Sequence, residues 1–114
     1  MPRCSDAMGF DEALLVATTL SGLDRTVHEP ARLAILSVLR GFESADFLFL
    51  LHQTGLTRGN LSSHLSKLET AGYVEIRKEF VDKIPRTLLS LTEPGRSALE
   101  AYRRSMAEIL TDLE

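Results

Sequence analysis

Residues 51–74, LHQTGLTRGNLSSHLSKLETAGYV, carry the pattern of two helices joined by one tight turn. Gly55 ends the first helical pattern, at a point where a sharp bend needs a residue without a Cβ atom. Leu56 is expected to fill the inside of the bend, and Thr57 occupies the position where a second helix needs an N-cap. We therefore predict a helix-turn-helix whose second helix runs over 58–71.

This second helix has one apolar seam and an otherwise small, polar or cationic surface. Leu61, Leu65 and Leu68 recur at i, i+4 and i+7, which places them on one buried face. Arg58 and Lys67 are the charged residues of the first three turns, and no carboxylate accompanies them there. A helix with a narrow, polar and cationic outer face suits the major groove of DNA.

Three helices are predicted before or at the start of this motif. The first covers 11–20, and the second covers 29–39, with Pro30 in its first turn. The third covers 45–53 and has Ser44 as its cap. This third helix is apolar almost all round, which predicts burial on more than one side.

After the helix-turn-helix, the period of the sequence changes to two. Apart from Lys78, residues 74–80 alternate between apolar and charged side chains, which is typical of a half-buried strand. We predict a loop over 81–85 and a returning strand over 87–91, followed by a long helix capped by Thr92. The predicted fold is therefore mainly α with a small β-hairpin (α+β), a winged helix-turn-helix with N- and C-terminal dimerisation helices.

Composition favours one soluble globular domain. The chain has 114 residues, of which 44% are hydrophobic and 25% are charged. No apolar run approaches the roughly 18 residues of a membrane span, and the first residues lack the apolar core of a secretory signal. Cys4 is the sole cysteine, so no intrachain disulfide can form, and we expect a cytoplasmic location. Cys4 is either a redox reporter or, by preference, an incidental thiol.

The sequence predicts no enzyme, no metal and no other cofactor. Cys4 and the three histidines, His28, His52 and His64, do not have the close spacing of metal ligands. Ser62, Ser63 and His64 are neighbours on one helix and point in different directions, so they cannot form a nucleophile–base pair. Glycine-rich phosphate loops and metalloprotease motifs are absent from the sequence.

Candidate DNA contacts lie on the predicted recognition helix and in the hairpin. Arg58, Asn60 and Ser63 are candidates for base edges, since arginine pairs with guanine and asparagine with adenine. The other candidates on the helix suit phosphates, although for His64 packing at the edge of the seam is the preferred interpretation. An ordinary solvated face is the alternative for the whole surface. The predicted DNA-binding residues are Thr57, Arg58, Asn60, Ser62, Ser63, His64, Lys67, Lys78, Lys83 and Arg86.

Three motifs follow one another along the chain: LSSHLSKLETAGYV, a hairpin containing PRT, and SLTEPGRSAL. Their order is more specific than a helix-turn-helix match alone. In this order they resemble the winged-helix transcriptional regulators of the MarR/ArsR type, in particular the small stand-alone winged-helix DNA-binding domains. The resemblance covers roughly 28–102. It implies a homodimeric repressor or activator that reads a palindromic operator, with the helix over 58–71 in the major groove. The wing over 81–86 would then lie on the minor groove or the backbone, although Asp82 and Ile84 make it less basic than such a role favours.

The last helix carries an apolar seam of its own, with residues spaced 3, 4, 3 and 4 as in a coiled coil. The helix over 11–20 could supply its partner, either within one chain or from a second copy. We favour a twofold dimer, and packing of both terminal helices within one chain remains the alternative. The predicted dimer interface comprises Leu14, Leu20, Leu99, Tyr102, Met106, Ile109 and Leu113.

Together these patterns divide the chain into a flexible N-terminus (1–10), an N-terminal dimerisation helix (11–27), a winged helix-turn-helix DNA-binding domain (28–92) and a C-terminal dimerisation helix (93–114). The predicted function is sequence-specific regulation of transcription, with repression favoured, by a homodimer on double-stranded DNA. A small-molecule effector would bind between the helix over 47–51 and the dimer helices. The alternative function is a winged-helix protein-interaction module, which the net charge of −3 and the modest wing favour.

Overall fold

The computed structural model describes Leu14 and residues 21–113. The predicted winged-helix fold, a mixture of helices and a small antiparallel sheet, is confirmed in this part of the chain, where the strand order is β1-β3-β2. The predicted helix over 11–20, and with it Leu20, lies outside the described residues apart from Leu14, which is exposed. The elements are α1 (Pro30–Leu39), β1 (Ala45–Asp46), α2 (Phe47–Thr54), α3 (Arg58–Thr70), β2 (Val74–Val81), β3 (Ile84–Leu91) and α4 (Glu93–Asp112).

The turn of the helix-turn-helix forms at the predicted residues. Gly55 has a φ of 70°, in the left-handed region that favours glycine, and its N–H donates to the carbonyl of Leu51 at 3.1 Å. Leu56 is partly buried against the core. The hydroxyl oxygen of Thr57 accepts a hydrogen bond from the N–H of Asn60 at 3.1 Å, which confirms the predicted cap of α3.

The hydrophobic core lies where α3 faces α1, α2 and the sheet. Leu61, Leu65 and Leu68 are buried, as the seam predicts. Their burial removes one face of α3 from solvent and leaves the opposite face outside. The buried cluster comprises Val27, Ile35, Leu36, Leu39, Ala45, Leu50, Leu61, Leu65, Leu68, Val74, Leu89 and Leu99.

The predicted start and burial of the helix over 45–53 are wrong. Ala45 and Asp46 form strand β1 beside β3, and Asp46, not Ser44, caps α2 by accepting a hydrogen bond from the N–H of Phe49 at 3.0 Å. Leu48 is 55% exposed and Phe49 is 36% exposed, so α2 is buried on one side. The physical reason is that α2 has only about two turns, with Leu50 buried in the core and Leu48 and Phe49 on the side that faces solvent.

The hairpin is longer than predicted. Strands β2 and β3 pair without a break from Val74 opposite Leu91 to Val81 opposite Ile84, so residues 84 and 85 belong to the strand and not to a loop. Pro85 is tolerated because it follows the Val81–Ile84 pair that flanks the turn, a position whose backbone N–H would point away from β2. On that side β1 pairs only with residues 88 and 89, so the missing N–H of Pro85 costs no hydrogen bond between strands.

A tight junction joins α3, the sheet and α4. The N–H of Thr92 donates to the carbonyl of Tyr73 at 3.0 Å, and the Thr92 hydroxyl donates to the carbonyl of Gly72 at 2.6 Å. The same hydroxyl oxygen accepts from the N–H of Gly95 at 3.0 Å, which confirms Thr92 as the cap of α4. Gly95 is buried against the Tyr73 carbonyl, and a Cβ atom there would stand 2.1 Å from that oxygen.

Substituting Gly95→Ala is therefore expected to lower the free energy of unfolding by about 3 kcal/mol, since the backbone of Tyr73 must move to admit a methyl group. Urea denaturation followed by circular dichroism measures this change. The matched control is Gly59→Ala in α3, where the added Cβ meets no atom of the described chain within 4 Å. That control should be neutral or stabilising by up to about 1 kcal/mol. An equal effect of both changes would show that the junction is not tight.

Candidate nucleic-acid interface

The outer face of α3 is open to solvent along its length. Because Leu61, Leu65 and Leu68 face the core, the polar residues between them point outward. The predicted base-reading residues lie in the first two turns of this face. Exposed on it are Arg58, Gly59, Asn60, Ser62, Ser63, Ser66 and Lys67, and the predicted phosphate-binding residue Thr57 is exposed at the cap.

The register of the hairpin separates its predicted DNA-binding residues. Lys78 lies opposite Thr87, on the sheet face that α3 covers, and both line a cavity of about 320 Å³ together with Ser62 of α3. Arg86 lies one position further along β3, so its side chain belongs to the other face. There it forms an ion pair with Asp46 at 3.4 Å. The structure therefore brings Lys78, but not Arg86, to the side of α3.

The cations of this region differ in whether a carboxylate already neutralises them. Arg77 forms an ion pair with Glu79 at 3.7 Å. By contrast, four of the predicted DNA-binding residues form no ion pair within the described part of the chain. These four, which we call the unpaired cations, are Arg58, Lys67, Lys78 and Lys83.

His64 is in contact with its own chain. Its Nδ1 lies 3.3 Å from a carboxylate oxygen of Glu29 and 3.3 Å from a guanidinium nitrogen of Arg32. Glu29 also caps α1 by accepting from the N–H groups of Ala31 and Arg32. These contacts favour the packing role of His64 over a phosphate contact, and they tie α3 to the first turn of α1.

Burial raises the pKa of Glu29, but other contacts outweigh it and hold the pKa below its ordinary value of 4.5. These contacts are the hydrogen bonds from the backbone of Ala31 and Arg32 and the positive charges of His64 and Arg32.

A polar cavity beside α3 contains residues that the sequence did not single out. Its volume is about 320 Å³, and Arg32 reaches it from α1, next to Lys67 of α3. The guanidinium of Arg32 is held in place because its Nε donates to the carbonyl of Thr26 at 2.7 Å. Thr26 and Arg32 precede Lys67 by 41 and 35 residues in the sequence, so no local pattern connects them. The cavity is lined by Thr26, Arg32, Ser66, Lys67 and Thr70.

The residues of the predicted dimer interface have different environments. Leu99 and Ile109 are buried in the single chain, and the hydroxyl of Tyr102 forms a hydrogen bond of 2.8 Å with His28. Leu113 is 68% exposed, and its neighbour Leu110, which the seam did not include, is 58% exposed. The described residues do not test a dimer, so the interface remains a prediction.

A groove between α1 and α4 has a volume of about 400 Å³ and a mostly apolar lining. Leu99 and Met106 line it on α4, and Leu33 lines it on α1. Arg40 and Arg103 stand in the same groove, where Arg103 pairs with Glu100 at 2.5 Å. The groove does not include the helix over 47–51, which is where we expected an effector pocket.

Two negative findings concern the described part of the chain. Its His, Cys, Asp and Glu side chains do not gather in groups of three that could hold a metal ion. None of its helices is both long enough and apolar enough to cross a membrane.

Comparison with known proteins agrees with this geometry. A family model described as "Winged helix DNA-binding domain" matches residues 31–110. An uncharacterized protein of Methanocaldococcus jannaschii is 35% identical over 83 residues, which cover 73% of this chain and 90% of that protein.

Several of the similar solved structures are described as transcriptional regulators. A transcriptional regulator homologue of Pyrococcus horikoshii is 27% identical with a TM-score of 0.77, covering 91% of this chain and 98% of the other. The transcriptional repressor CouR, whose structure is bound to a 23-mer DNA duplex, is 20% identical with a TM-score of 0.66. The match covers 92% of this chain and 73% of the CouR chain. At that identity the likeness to CouR shows the fold alone.

The lowered pKa of Glu29 predicts a pH-dependent stability. Because the folded state favours the ionised carboxylate, this stabilisation is present above pH 4.5 and is lost as the pH falls through the folded-state pKa. Glu29→Gln should therefore lower the free energy of unfolding at pH 7 by up to about 1 kcal/mol, and the difference from the wild type should vanish near pH 3. Urea titrations at the two pH values test this. Glu43→Gln, at an exposed glutamate of the α1–β1 loop, is the control. A difference for Glu29→Gln that persists at the lower pH would contradict the electrostatic account.

Proposed function

The chain belongs to the winged helix DNA-binding domain family, and on that premise we propose that it regulates transcription as a sequence-specific homodimer on a palindromic operator. The favoured sign of regulation is repression, and the expected location is the cytoplasm. The observation that carries the proposal is the position of the unpaired cations. They occupy α3 and the hairpin, while Arg77 and Arg86 are neutralised by carboxylates of their own chain.

We propose that α3 enters the major groove with its first turns against the bases. Arg58, Asn60 and Ser63 are exposed there and would read base edges, whereas Thr57, Ser62 and Lys67 would hold phosphates. Gly59 supports a close approach, since its position on the outer face of α3 presents no side chain to the groove wall. The core contacts of the leucine seam keep the helix from rotating away from this orientation.

In the same arrangement the hairpin reaches the neighbouring minor groove. Lys78 and Lys83 would then contact flanking phosphates. Arg86 would have to give up its ion pair with Asp46 before it could contact DNA, so we assign it a smaller contribution than the two lysines. The acidic net charge of −3 does not oppose this proposal, because it is the local charge at the contact surface that counts.

The proposed dimer forms through α4 and the segment that contains Leu14. Leu110 and Leu113 are large apolar side chains exposed near the end of α4, and Leu14 is exposed as well. Burying these side chains against a second copy would remove apolar surface from water. A twofold dimer would place the two α3 helices about 34–36 Å apart, one turn of DNA.

A small-molecule effector, if the regulator has one, would fit the groove between α1 and α4. The groove has an apolar lining suited to an aromatic or aliphatic body, and Arg40 offers charge to an acidic group, whereas Arg103 already pairs with Glu100. A ligand there would touch both the DNA-binding part and α4, and so could alter the distance between the recognition helices of a dimer.

One observation favours the alternative function, a protein-interaction module. Phe42 and Phe49 stack edge to face with ring centroids 5.1 Å apart, and both rings are partly exposed on the same side of the molecule. Such a surface suits a protein partner more than a phosphate backbone. The proposals differ in their salt dependence, since binding to DNA weakens steeply with salt and contacts of this apolar surface do not.

Selection from a random duplex library at near-physiological salt should return a palindrome with half-sites about one turn apart. On that sequence, Arg58→Ala should weaken binding by about 1–3 kcal/mol and relax the preference for one base at a single position. Lys67→Ala should weaken all sequences alike and reduce the slope of log K against log salt by about 0.9, the value for one phosphate. Fluorescence anisotropy over a range of salt measures both. Arg104→Ala on α4, where the arginine is exposed, is the control. If the protein is folded and the selection enriches no sequence, the result would favour the alternative function.

Replacing Leu110 and Leu113 together with lysine should convert a dimer to monomers with little change in the free energy of unfolding of each chain, because both side chains are exposed in the single chain. Light scattering after size-exclusion chromatography gives the mass. Leu48→Lys, a substitution at a similarly exposed leucine of α2, should leave the mass unchanged. Survival of the dimer in the double variant would place the interface elsewhere.

A further inference from the structure

The tip of the hairpin is apolar. Phe80 is 75% exposed and Ile84 is 64% exposed, and the side chains of Val81 and Pro85 beside them are exposed too. None of these four belongs to the core cluster of the described chain or to the hydrophobic residues packed against it. Large apolar side chains held in water at the end of a projecting hairpin are costly, which indicates that they have a partner outside the part of the chain that the structure describes.

The tip carries too few cations to hold DNA by phosphate contacts alone. The turn consists of Asp82 and Lys83, whose charges cancel. Both have positive φ values, 52° and 68°, which are unfavourable for residues that carry a Cβ atom. Lys83 alone offers a cation at the end of the hairpin, and it stands between two apolar pairs, Phe80 with Pro85 and Val81 with Ile84.

The register connects this tip with the proposed DNA surface. Phe80 follows Lys78 by two residues, so both side chains lie on the sheet face that α3 covers. Lys78 lines a cavity with Ser62 of α3, and Phe80 continues the same face beyond the end of the helix. Of the four apolar side chains, Phe80 and Pro85 therefore continue the surface that carries Lys78, whereas Val81 and Ile84 lie on the opposite face of the hairpin.

In duplex DNA, the large apolar surfaces are the faces of the bases, which become accessible when a base step opens. The phosphate backbone is charged, and α3 would already occupy the major groove. Side chains such as phenylalanine, isoleucine and proline enter base steps from the minor groove, unstack them partly and bend the duplex. Pyrimidine–purine steps open most easily.

We propose that the wing tip is a minor-groove wedge, in which Phe80 or Ile84 enters a base step that flanks the half-site and bends the DNA. This inference rests on the proposed function. It adds a specificity that α3 does not supply, namely a preference for a flexible pyrimidine–purine step at the position of the wing. Lys83 would hold the phosphate next to the opened step.

The experiment uses the full chain and the duplex obtained by selection, with 2-aminopurine at the flanking step and donor and acceptor dyes at the two ends. Wild-type protein should raise the 2-aminopurine fluorescence and shorten the distance between the ends. It should also bind a TA step at this position about tenfold more tightly than an A-tract. The variant with Phe80→Ser and Ile84→Ser should lose all three effects while keeping its salt slope. Leu48→Ser is the control for loss of an exposed apolar side chain.

The two ways of failing are distinct. Tight, selective binding to straight and fully stacked DNA would overturn the wedge and leave the proposed function standing. A double variant that bends the duplex as the wild type does would also overturn the wedge. If the folded wild-type protein binds no duplex at all, the proposed function fails and the wedge fails with it. Loss of self-association in the double variant, with DNA binding and bending unchanged, would instead show that the tip contacts a second copy of the chain.

Discussion

The carbonyl of Tyr73 is the point at which the recognition helix, the sheet and the last helix are held together. It follows the end of α3, it accepts the N–H of Thr92 just before α4, and it lies against the Cα atom of Gly95. The hydroxyl of Tyr73 reaches a third segment by donating to the carboxylate of Asp24, and this hydrogen bond raises the pKa of Tyr73. The angle between α3 and α4 is therefore set over a few residues of backbone. In a dimer built through α4, that angle would decide where the two recognition helices stand.

The rest of the proposed interface follows from what this junction leaves exposed. With α3 fixed at its end and the leucine seam buried, the polar face of the helix cannot turn inward. Glu29 adds a second restraint, since it caps α1 and contacts His64 in the middle of α3. Carboxylates of the chain neutralise Arg77 and Arg86 and leave Lys78 unpaired among the described residues. The surface charge thus reflects pairing within the chain as much as composition.

Most of the fold could be predicted because its signals are local. The seam of Leu61, Leu65 and Leu68, the bend at Gly55 and the caps of α3 and α4 each depend on residues within one or two turns. Strand β1 could not be predicted, since two residues, Ala45 and Asp46, are held in it by pairing with a strand more than forty positions away.

The same limit applies to the site. The outward face of α3 follows from the period of one helix, whereas contacts that join distant segments leave no local pattern. The contact of His64 with Glu29 and the cavity shared by Arg32 and Lys67 are of this kind. The sequence pattern around Phe80 is that of a half-buried strand. In the structure the end of the hairpin projects beyond the core, so nothing in the described chain covers Phe80.

The balance between the unpaired cations and the acidic remainder of the chain also has a kinetic consequence. Attraction to random DNA grows with the number of phosphates neutralised, and it sets how long a protein slides before it dissociates. The proposed dimer would carry eight such residues, four from each chain, against a net charge of −3 on each chain. Its attraction to random sequence would therefore be weak at physiological salt, and each visit would be brief. Such a regulator would search the chromosome by many short three-dimensional encounters. Little of it would be held at the numerous competing sites, and its free concentration would follow its synthesis closely.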